Sequence, residues 1–458
     1  MWATGNAQSR AARDLGAAEL FLRCRNALGS CALSHARAPV RRTLGYDLEG
    51  MSSIEQKFAK LGTDHAPGQE VRQVDDATDA PLRGDPLPGV PVDFSHGDVN
   101  ETAFGPTPGA LEEFVEGVHR GGPQAYTEYR GGAELRERLA GKLAAFTGRP
   151  VSSQRELIIT PGTQGALFLA IGATVTAGDR VAIVRPDYFA NRKLVEFLGA
   201  EIAPVRLDYL GHTDRAGLDL DQLEDVFKSG VRTFLFSNPN NPAGVVYSAV
   251  EIARIAELSA TYGVTVIVDE LYSRLLYAGH AYTHLRAAAV DPDKVVTIMG
   301  PSKTESLSGY RLGVAFGAAH LIDRMEKLQA IVSLRAPGYS QAVLRGWFEE
   351  SPDWMADRTA KHQAIRDDLV RIFRSVPGLA IRTPDGGSYV FPRLPKLSLP
   401  LHQFVRALRA QAAVTVTPGT EFSPDATDSI RLNFSQNHEA AVAAVERIAQ
   451  MIARYRAA

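Results

Sequence analysis

The chain is poor in cysteine, in long apolar runs and in net charge. Cys24 and Cys31 are the only cysteines among 458 residues. They argue against a disulfide framework, a cysteine nucleophile or a thiolate metal site, and they favour a reduced, cytoplasmic setting. No apolar run is long enough to span a bilayer. A formal net charge of −2 gives no general reason to bind nucleic acid or an anionic membrane.

The first 42 residues are rich in arginine, with seven arginines against the two acids Asp14 and Glu19. Two interpretations fit this composition: an organelle transit peptide, or a poorly ordered extension that precedes a natural start at Met51. We favour the extension. Residues 62–92 are rich in Asp, Gly and Pro and predict an irregular arm.

From about residue 133 the pattern alternates between helix and strand. Short apolar strands separated by helices predict an α/β fold with a mostly parallel sheet that helices cover on both faces. The predicted strands are Glu156–Thr160, Arg180–Val184, Thr233–Phe236, Val264–Val268, Val295–Met299 and Gly313–Phe316, and helices are predicted at Ala133–Phe146, Gln164–Ala173 and Arg192–Leu198.

After about residue 340 one long helix, two short strand pairs and a closing helix at His438–Tyr455 predict a smaller α+β domain. A chain of this length is expected to form two domains. We predict an N-terminal extension and arm at 1–88, a small-domain segment at 89–122, the large domain at 123–335 and the small C-terminal domain at 336–458.

Lys303 is the most informative residue in the chain. It lies between small residues in the Gly300-Pro301-Ser302-Lys303 run, and Arg311 follows eight residues later. Small neighbours allow a bulky group to approach the amine, and a lysine can form a Schiff base with a carbonyl. Amine, hydroxyl and guanidinium together suit an aldehyde cofactor that carries a phosphate. The alternative is an ordinary solvated lysine in a surface loop.

Other suggestive residues directly follow predicted strands, where a parallel sheet binds its ligands. The Gly162-Thr163-Gln164 turn opens a helix and offers backbone N–H groups to a phosphate, although any tight turn needs glycine. Tyr188 could stack on a flat heterocycle or only cover the end of the sheet. Two Asn-Pro pairs within residues 238–242 forbid helix and favour a ligand-directed amide over a turn cap.

Two charged residues end or interrupt apolar strands. Asp269 needs a cationic partner because a lone buried charge is costly, and a protonated pyridine nitrogen would serve. The alternative is an N-cap for the next helix. Arg431 lies in the otherwise apolar strand Ile430–Phe434, where its guanidinium suits a carboxylate ligand, with an internal ion pair as the alternative. We find no metal-ligand cluster and expect no metal.

In chain order these motifs resemble those of the fold type I aminotransferases, in the class I/II aspartate aminotransferase superfamily that uses pyridoxal 5′-phosphate (PLP). The resemblance runs from about residue 89 to the C-terminus and rests on six motifs at family-like spacing. It implies the fold type I architecture, with a large PLP-binding domain and a smaller α+β domain. Gly300 and Ala243 depart from the family pattern, which often has serine and threonine there, and they suggest a divergent subgroup.

The resemblance also implies a role for each matching residue. Lys303 would hold PLP as a Schiff base and shuttle the substrate proton, while Asp269 would pair with the pyridine nitrogen. Asn241 and Tyr272 would hydrogen-bond the ring oxygen, and Tyr188 would stack on the ring. The catalytic residues would therefore be Lys303, Asp269 and Tyr272.

The remaining roles concern the phosphate, the substrate and a second subunit. Arg431 would bind the substrate carboxylate, with Asn241 and Gly97 lining the substrate pocket. Tyr126 matches a tyrosine that reaches the cofactor phosphate of the neighbouring subunit, so a homodimer is implied. Arg335 either binds a second anionic group of the substrate or is an ordinary surface residue. The phosphate would be held by Gly162, Thr163, Gln164, Ser302 and Arg311.

The implied function is transfer of an amino group between an L-amino acid and a 2-oxo acid. The alternative is a PLP-dependent lyase or γ-replacement enzyme acting on an activated amino acid such as S-adenosylmethionine. The same lysine, aspartate and arginine serve both reactions, so these residues do not separate them. A PLP-fold regulator is disfavoured because the N-terminal arm shows no helix-turn-helix or zinc pattern.

Overall fold

The structure is a computed structural model that describes residues 52–59, 61–62, 66, 82–97 and 103–457. The interpretations of the first 42 residues and of Met51 lie outside these residues. Those described fall in one compact unit that spans Ser52–Ala458. The predicted domain boundaries at residues 89, 123 and 336 stay predictions.

A seven-stranded sheet forms the centre of the α/β fold, as predicted. Six of its strands match predicted ones: β2 (Leu157–Pro161), β3 (Arg180–Arg185), β5 (Thr233–Ser237), β6 (Thr265–Asp269), β7 (Val295–Met299) and β8 (Leu312–Gly317). The seventh, β4 (Glu201–Arg206), was not predicted, because only every second residue of it is apolar and buried. The order of the strands across the sheet is β2-β8-β7-β6-β5-β3-β4.

One strand of this sheet runs against the others. The pairs β3–β4, β3–β5, β5–β6 and β6–β7 are parallel. In contrast, β8 is antiparallel to both of its neighbours, β2 and β7. The beginning of β8 therefore lies at the same edge of the sheet as the carboxyl ends of the other strands.

Helices cover both faces of the sheet, because successive side chains of a strand point to opposite faces. Ile183, Leu235 and Ile267 pack into one hydrophobic cluster, whereas Val184 and Phe236 pack into another. The helices of this region are α2 (Ala110–His119), α3 (Gly122–Ala125), α4 (Ala133–Thr147), α5 (Gly162–Thr174), α6 (Phe189–Phe197), α7 (Leu220–Lys228), α8 (Ala249–Tyr262) and α9 (Ala319–Val332). A short helix α1 (Ser53–Ala59) precedes them.

The helix ends follow local sequence signals. Ser248 and Glu251 form a reciprocal capping box at the start of α8, which satisfies backbone N–H groups that have no partner inside the helix. Gly148 ends α4 in the left-handed conformation, with φ 75°. A residue without a Cβ adopts this conformation at little cost.

The C-terminal region contains two small sheets rather than two strand pairs. The strands β11 (Thr417–Pro418), β12 (Ile430–Asn433) and β9 (Tyr389–Val390) form a three-stranded antiparallel sheet. The strand β10 (Val414–Thr415) pairs in parallel with β1 (Val92–Asp93), which comes from far earlier in the chain. The helices here are α10 (Gly338–Gln341), α11 (Pro352–Arg374), α12 (Leu401–Ala412) and α13 (His438–Tyr455).

The closing helix has the predicted ends, whereas α12 was missed. The apolar side chains of this region form one cluster, chiefly from residues 365–455 together with Val92, Phe94 and Phe104. Within the described ranges, no helix is both long and apolar enough to cross a membrane.

Gly313 permits the close approach of β8 to the start of α5. A Cβ at this position would lie 2.5 Å from the carbonyl carbon of Gly162 and from the backbone nitrogen of Thr163. Both neighbours are backbone atoms, which cannot turn aside as a flexible side chain would. The turn that carries the Gly162-Thr163-Gln164 motif is therefore fixed against the sheet.

We predict that Gly313→Ala lowers the free energy of unfolding by about 1–3 kcal/mol, the usual cost of overpacking. Urea denaturation checks this. Gly309→Ala is the matched control, because a Cβ at Gly309 has no atom within 4 Å. Equal midpoints for the two variants would contradict the prediction.

Candidate active site

A cavity of about 240 Å³ lies at the edge of the large sheet where the parallel strands end. Ten of the thirteen predicted site residues line it: Thr163, Gln164, Tyr188, Asn241, Asp269, Tyr272, Ser302, Lys303, Arg311 and Arg431.

The topology of the sheet explains why these residues meet. Thr163, Tyr188, Asn241, Asp269 and Lys303 follow or end the parallel strands β2, β3, β5, β6 and β7. Arg311, in contrast, precedes its strand. Because β8 is antiparallel, its first residue lies at the same edge as the carboxyl ends of the others, and Arg311 reaches the cavity.

One end of the cavity is a cradle for an anion. Gly162 has φ 74°, and a Cβ there would lie only 2.6 Å from Nη2 of Arg311. Arg311 is itself in the left-handed region, with φ 55° and ψ 54°, and its Nη1 donates to the carbonyl of Ser308 at 3.0 Å. A non-glycine residue adopts this backbone conformation at a cost that its surroundings must offset. Backbone N–H groups at a helix start, hydroxyls and a guanidinium together suit a phosphate.

The unusual Gly300 has a steric explanation. A Cβ at this position would lie 2.7 Å from Cγ2 of Thr163 and 3.2 Å from the carbonyl oxygen of Leu312. The Thr163 methyl group thus occupies the space that a serine at position 300 would need. Thr163 and Ser302 both line the cavity, and the Ser302 hydroxyl donates to the carbonyl of Leu312 at 3.4 Å.

Asp269 ends β6 with its carboxylate facing the cavity. It accepts a hydrogen bond from the backbone N–H of Leu271 at 3.1 Å. None of the ion pairs among the described residues includes it. Burial raises the pKa of Asp269 to about 6. A turn, not a helix, follows at residues 271–274, so the N-cap interpretation is wrong.

The aromatic and amide groups of the cavity are held by neighbouring loops. The Tyr188 hydroxyl donates to Oε1 of Gln164 at 3.0 Å. The loop that carries Tyr188 is anchored by Asp187, which accepts hydrogen bonds from the hydroxyl and the backbone N–H of Ser237. Tyr188 therefore lines the cavity and does not only cover the sheet.

Arg431 is the most deeply buried cation of the site, with 2% of its surface exposed. Its Nη1 donates to Oδ1 of Asn241 at 3.1 Å, and its Nη2 donates to the carbonyl of Ser95 at 2.6 Å. No described carboxylate forms an ion pair with it, so the interpretation as an internal ion pair is wrong. Its Nε has no partner among the described residues. A buried guanidinium of this kind is prepared to bind an anion.

Lys303 reaches the cavity with a free amine. Within the described ranges, no hydrogen bond or ion pair engages its Nζ. Lys303 also lines a smaller adjoining cavity together with Tyr272 and Gly97. Gly97 is therefore close to Lys303 and Tyr272.

Tyr126 is not brought to the cavity by its own chain. It is 76% exposed, and the guanidinium of Arg335 lies over its ring at 4.5 Å. Arg335 also lies over Tyr129 at 5.5 Å and donates to the carbonyl of Thr127. Neither Tyr126 nor Arg335 lines the cavity of this chain.

The structure also adds residues that the sequence did not single out. Ser95, His96 and Ser308 line the larger cavity, and so does Tyr389. Ser435 lines the smaller one. Ser308 lies three residues before the predicted Arg311, and Ser95 and His96 precede the predicted Gly97. For Tyr389 the local signal is the preceding Gly386-Gly387 pair, since paired glycines indicate a close approach of backbone.

Comparison with known proteins identifies the family. Residues 92–448 match the family described as aminotransferase class I and II. The chain belongs to the class I and II aminotransferases. It is thus a transferase with the fold type I architecture, and it moves an amino group between an amino acid and a 2-oxo acid. The alternative of a lyase or γ-replacement enzyme is not favoured.

Individual relatives agree with this family. A solved aspartate aminotransferase of Rhodobacter sphaeroides is 65% identical, has a TM-score of 0.84, and is matched over 88% of this chain and 100% of its own. The aspartate aminotransferase of Sulfolobus acidocaldarius is 29% identical over 72% of this chain and 83% of its own length. That of Musicola paradisiaca is 27% identical over 76% and 87%.

We predict a pH-dependent effect of Asp269→Asn on the cofactor-free aminotransferase. Because the pKa of Asp269 rises from 3.8 to about 6 on folding, the native state holds this proton more tightly than the unfolded chain. Stability is therefore lost as pH rises through about 6. The asparagine variant avoids this loss, so it should gain on the order of 3 kcal/mol relative to the parent between pH 4 and pH 7.

Urea unfolding at a series of pH values measures this difference. Asp214→Asn is the control, since Asp214 is exposed and no ion pair among the described residues includes it. A constant difference between Asp269→Asn and the parent at all pH values would contradict the expected linkage.

Proposed function

We propose that this aminotransferase holds PLP at Lys303 and transfers the amino group of aspartate to a 2-oxo acid. One observation carries the proposal: Lys303, Asp269, Arg311 and Arg431 face a single cavity. The choice of aspartate is supported by the name of the 65% identical structure.

The residues of the cavity fit PLP in three separate ways. The cradle beside Gly162 and Arg311 offers donors to a phosphate. The carboxylate of Asp269 has no cation among the described residues and suits a protonated pyridine nitrogen. Tyr272 and Asn241 offer a hydroxyl and an amide to a ring oxygen. When bound, PLP supplies an aldehyde for attachment and an electron-poor ring that stabilises negative charge at the substrate Cα.

The protein groups then divide the remaining work. Arg431 binds the substrate carboxylate and so fixes which bond at Cα faces the reacting groups. The Lys303 amine, which has no competing partner among the described residues, would take the proton from Cα of the substrate and deliver it to C4′, the aldehyde carbon of the cofactor. Asp269 would pair with the protonated pyridine nitrogen of the cofactor, and the burial of its carboxylate strengthens this electrostatic interaction. Catalytic roles are thus assigned to Lys303, Asp269 and Tyr272.

A homodimer completes this proposal. Tyr126 lies on a surface that exposes several large apolar side chains close to Arg335, and such patches mark interaction sites. In a dimer the Tyr126 hydroxyl would reach the phosphate of the partner's cofactor. The exposed apolar side chains of this surface are Tyr126, Tyr129, Ile331, Val332 and Leu334.

A cytoplasmic location remains a prediction from cysteine usage.

We predict that aspartate abolishes the visible absorbance of the PLP-loaded enzyme and that a 2-oxo acid restores it. Lys303→Ala should lose this cycle and slow amino transfer by roughly 10²–10⁴-fold, the usual contribution of a positioned acid–base group. Lys327→Ala, at an exposed position of α9, is the control. Stopped-flow absorbance over a panel of amino donors measures both effects.

The outcomes separate two parts of the proposal. If another amino acid reacts tenfold faster than aspartate, the assigned donor is wrong but the role of Lys303 stands. If Lys303→Ala keeps the parent's spectrum and rate, the site itself is wrongly assigned.

For the dimer we predict that Tyr126→Phe weakens PLP binding by about tenfold, as loss of one hydrogen bond to a charged group does. Equilibrium titration of the cofactor-free protein measures this, and light scattering gives the mass of the assembly. Tyr129→Phe is the matched control on the same surface. A monomer that binds PLP equally well with either tyrosine replaced would refute the role of Tyr126.

A further inference from the structure

The cavity contains a pair of tyrosines whose hydroxyls contact each other. The oxygens of Tyr272 and Tyr389 are 2.5 Å apart, and their rings meet edge to face with centroids 5.3 Å apart. Each residue is 4% exposed. Both line the larger cavity, but only Tyr272 also lines the smaller one beside Lys303. Lys303 lines both cavities.

The loops that carry the two tyrosines are locked together. The N–H of Gly387 donates to the carbonyl of Leu275 at 2.8 Å, and the hydroxyl of Tyr277 donates to the carbonyl of Gly387 at 2.5 Å. A Cβ at Gly386 would lie 2.9 Å from the Leu275 oxygen. Because these contacts join the segment before Tyr389 to the turn after Tyr272, the hydroxyl pair is a fixed feature.

Two hydroxyls in contact share their protons in one of two ways. If Tyr272 donates to Tyr389, the single Tyr272 proton is engaged in that hydrogen bond and is not available to another acceptor. If Tyr389 donates to Tyr272, the Tyr272 proton is free to point into the cavity. The direction of this one hydrogen bond therefore decides whether Tyr272 can donate to a bound group.

The surrounding charges favour donation by Tyr389. The guanidinium of Arg431 lies over the Tyr389 ring at 4.4 Å, and a nearby positive charge makes a phenol a stronger donor. Burial, together with the contact with Tyr389, raises the pKa of Tyr272 well above its usual value, so the Tyr272 hydroxyl keeps a proton that it can donate. An anionic oxygen in the cavity attracts that proton, and hydrogen bonds in a chain strengthen one another when they point the same way.

We propose that Tyr389 is a positioning residue, whose hydroxyl donates to Tyr272 and directs the Tyr272 proton at the ring oxygen of the cofactor. This inference rests on the proposed function, since it needs PLP beside Lys303 and Tyr272. It assigns to Tyr389 a task that the amino-acid sequence does not indicate. It also places one side chain in contact with both the carboxylate-binding Arg431 and the ring-binding Tyr272.

The pH dependence of the resting spectrum tests this inference without turnover. A hydrogen bond to the ring oxygen stabilises its negative charge and weakens its hold on the proton that it shares with the Lys303 nitrogen. Because the hydrogen bond from Tyr389 strengthens the one that Tyr272 donates to the ring oxygen, removing the Tyr389 hydroxyl should raise the pKa of the visible absorbance. Tyr389→Phe keeps the ring against Arg431 and should lower the acid dissociation constant by about 1.5-fold to threefold, because the Tyr272 hydrogen bond itself remains.

Tyr272→Phe and the double variant complete a thermodynamic cycle. Tyr272→Phe should lower the acid dissociation constant at least as much as Tyr389→Phe does. Because Tyr389 acts through Tyr272, the double variant should show no more than the effect of Tyr272→Phe alone. Additive effects of the two substitutions would overturn the proposal.

Tyr277→Phe is the control for loosening of the loop. It removes a buried hydroxyl that bonds the same loop but does not line either cavity. It should leave the spectrum's pKa unchanged. If it raises the pKa as much as Tyr389→Phe, loop position rather than the Tyr389 hydroxyl is responsible, and the proposal is wrong.

The remaining outcomes separate this inference from the function on which it rests. An unchanged pKa in Tyr389→Phe, with a raised pKa in Tyr272→Phe, overturns the role of Tyr389 and leaves the proposed function intact. An unchanged pKa in both variants overturns the assignment of Tyr272 as well. The absorbance lost in Lys303→Ala confirms in each case that the spectrum reports the cofactor at Lys303.

Discussion

Three charged side chains share one cavity without neutralising one another, and the site depends on keeping them apart. Among the described ion pairs, none joins Asp269, Arg311 or Arg431 to a protein group of opposite charge. Unpaired charges in a partly buried cavity are costly, so each one is held by polar contacts of its own. Because these charges form no ion pairs with the described residues of the protein, they can pair with complementary charges on a ligand. Preorganised sites gain binding energy in this way.

The devices that hold these charges differ with their surroundings. Arg431 is held by the side-chain oxygen of Asn241 and the backbone of Ser95, which connects residues far apart in the chain. Arg311 is held by a left-handed backbone and by the absence of a side chain at Gly162. Asp269 is held by its place at the end of a buried strand. The cavity therefore combines a deep cation, a more exposed cation and a carboxylate at fixed positions.

Neighbouring hydroxyls extend this preorganisation. Tyr272 and Tyr389 belong to loops that pack on each other through glycines, and their contact connects the lysine side of the cavity to Arg431. Tyr188 is fixed by a separate network through Asp187 and Ser237. Polar groups that are buried together and hydrogen-bonded to one another favour one geometry, which a reaction that depends on the direction of a bond requires.

The sequence by itself determined the α/β class, the family and most of the residues around the cavity. Apolar runs of strand length ended in Asp269, Asn241 or Lys303, and parallel strands bring such ends together. Tertiary structure decided the rest. The reversal of β8 brought Arg311 to this edge, long-range pairing of β9 with β12 brought Tyr389 beside Arg431, and Tyr126 was left outside the cavity of its own chain. These positions depend on strand order and close backbone contact between distant segments, which local periodicity does not encode.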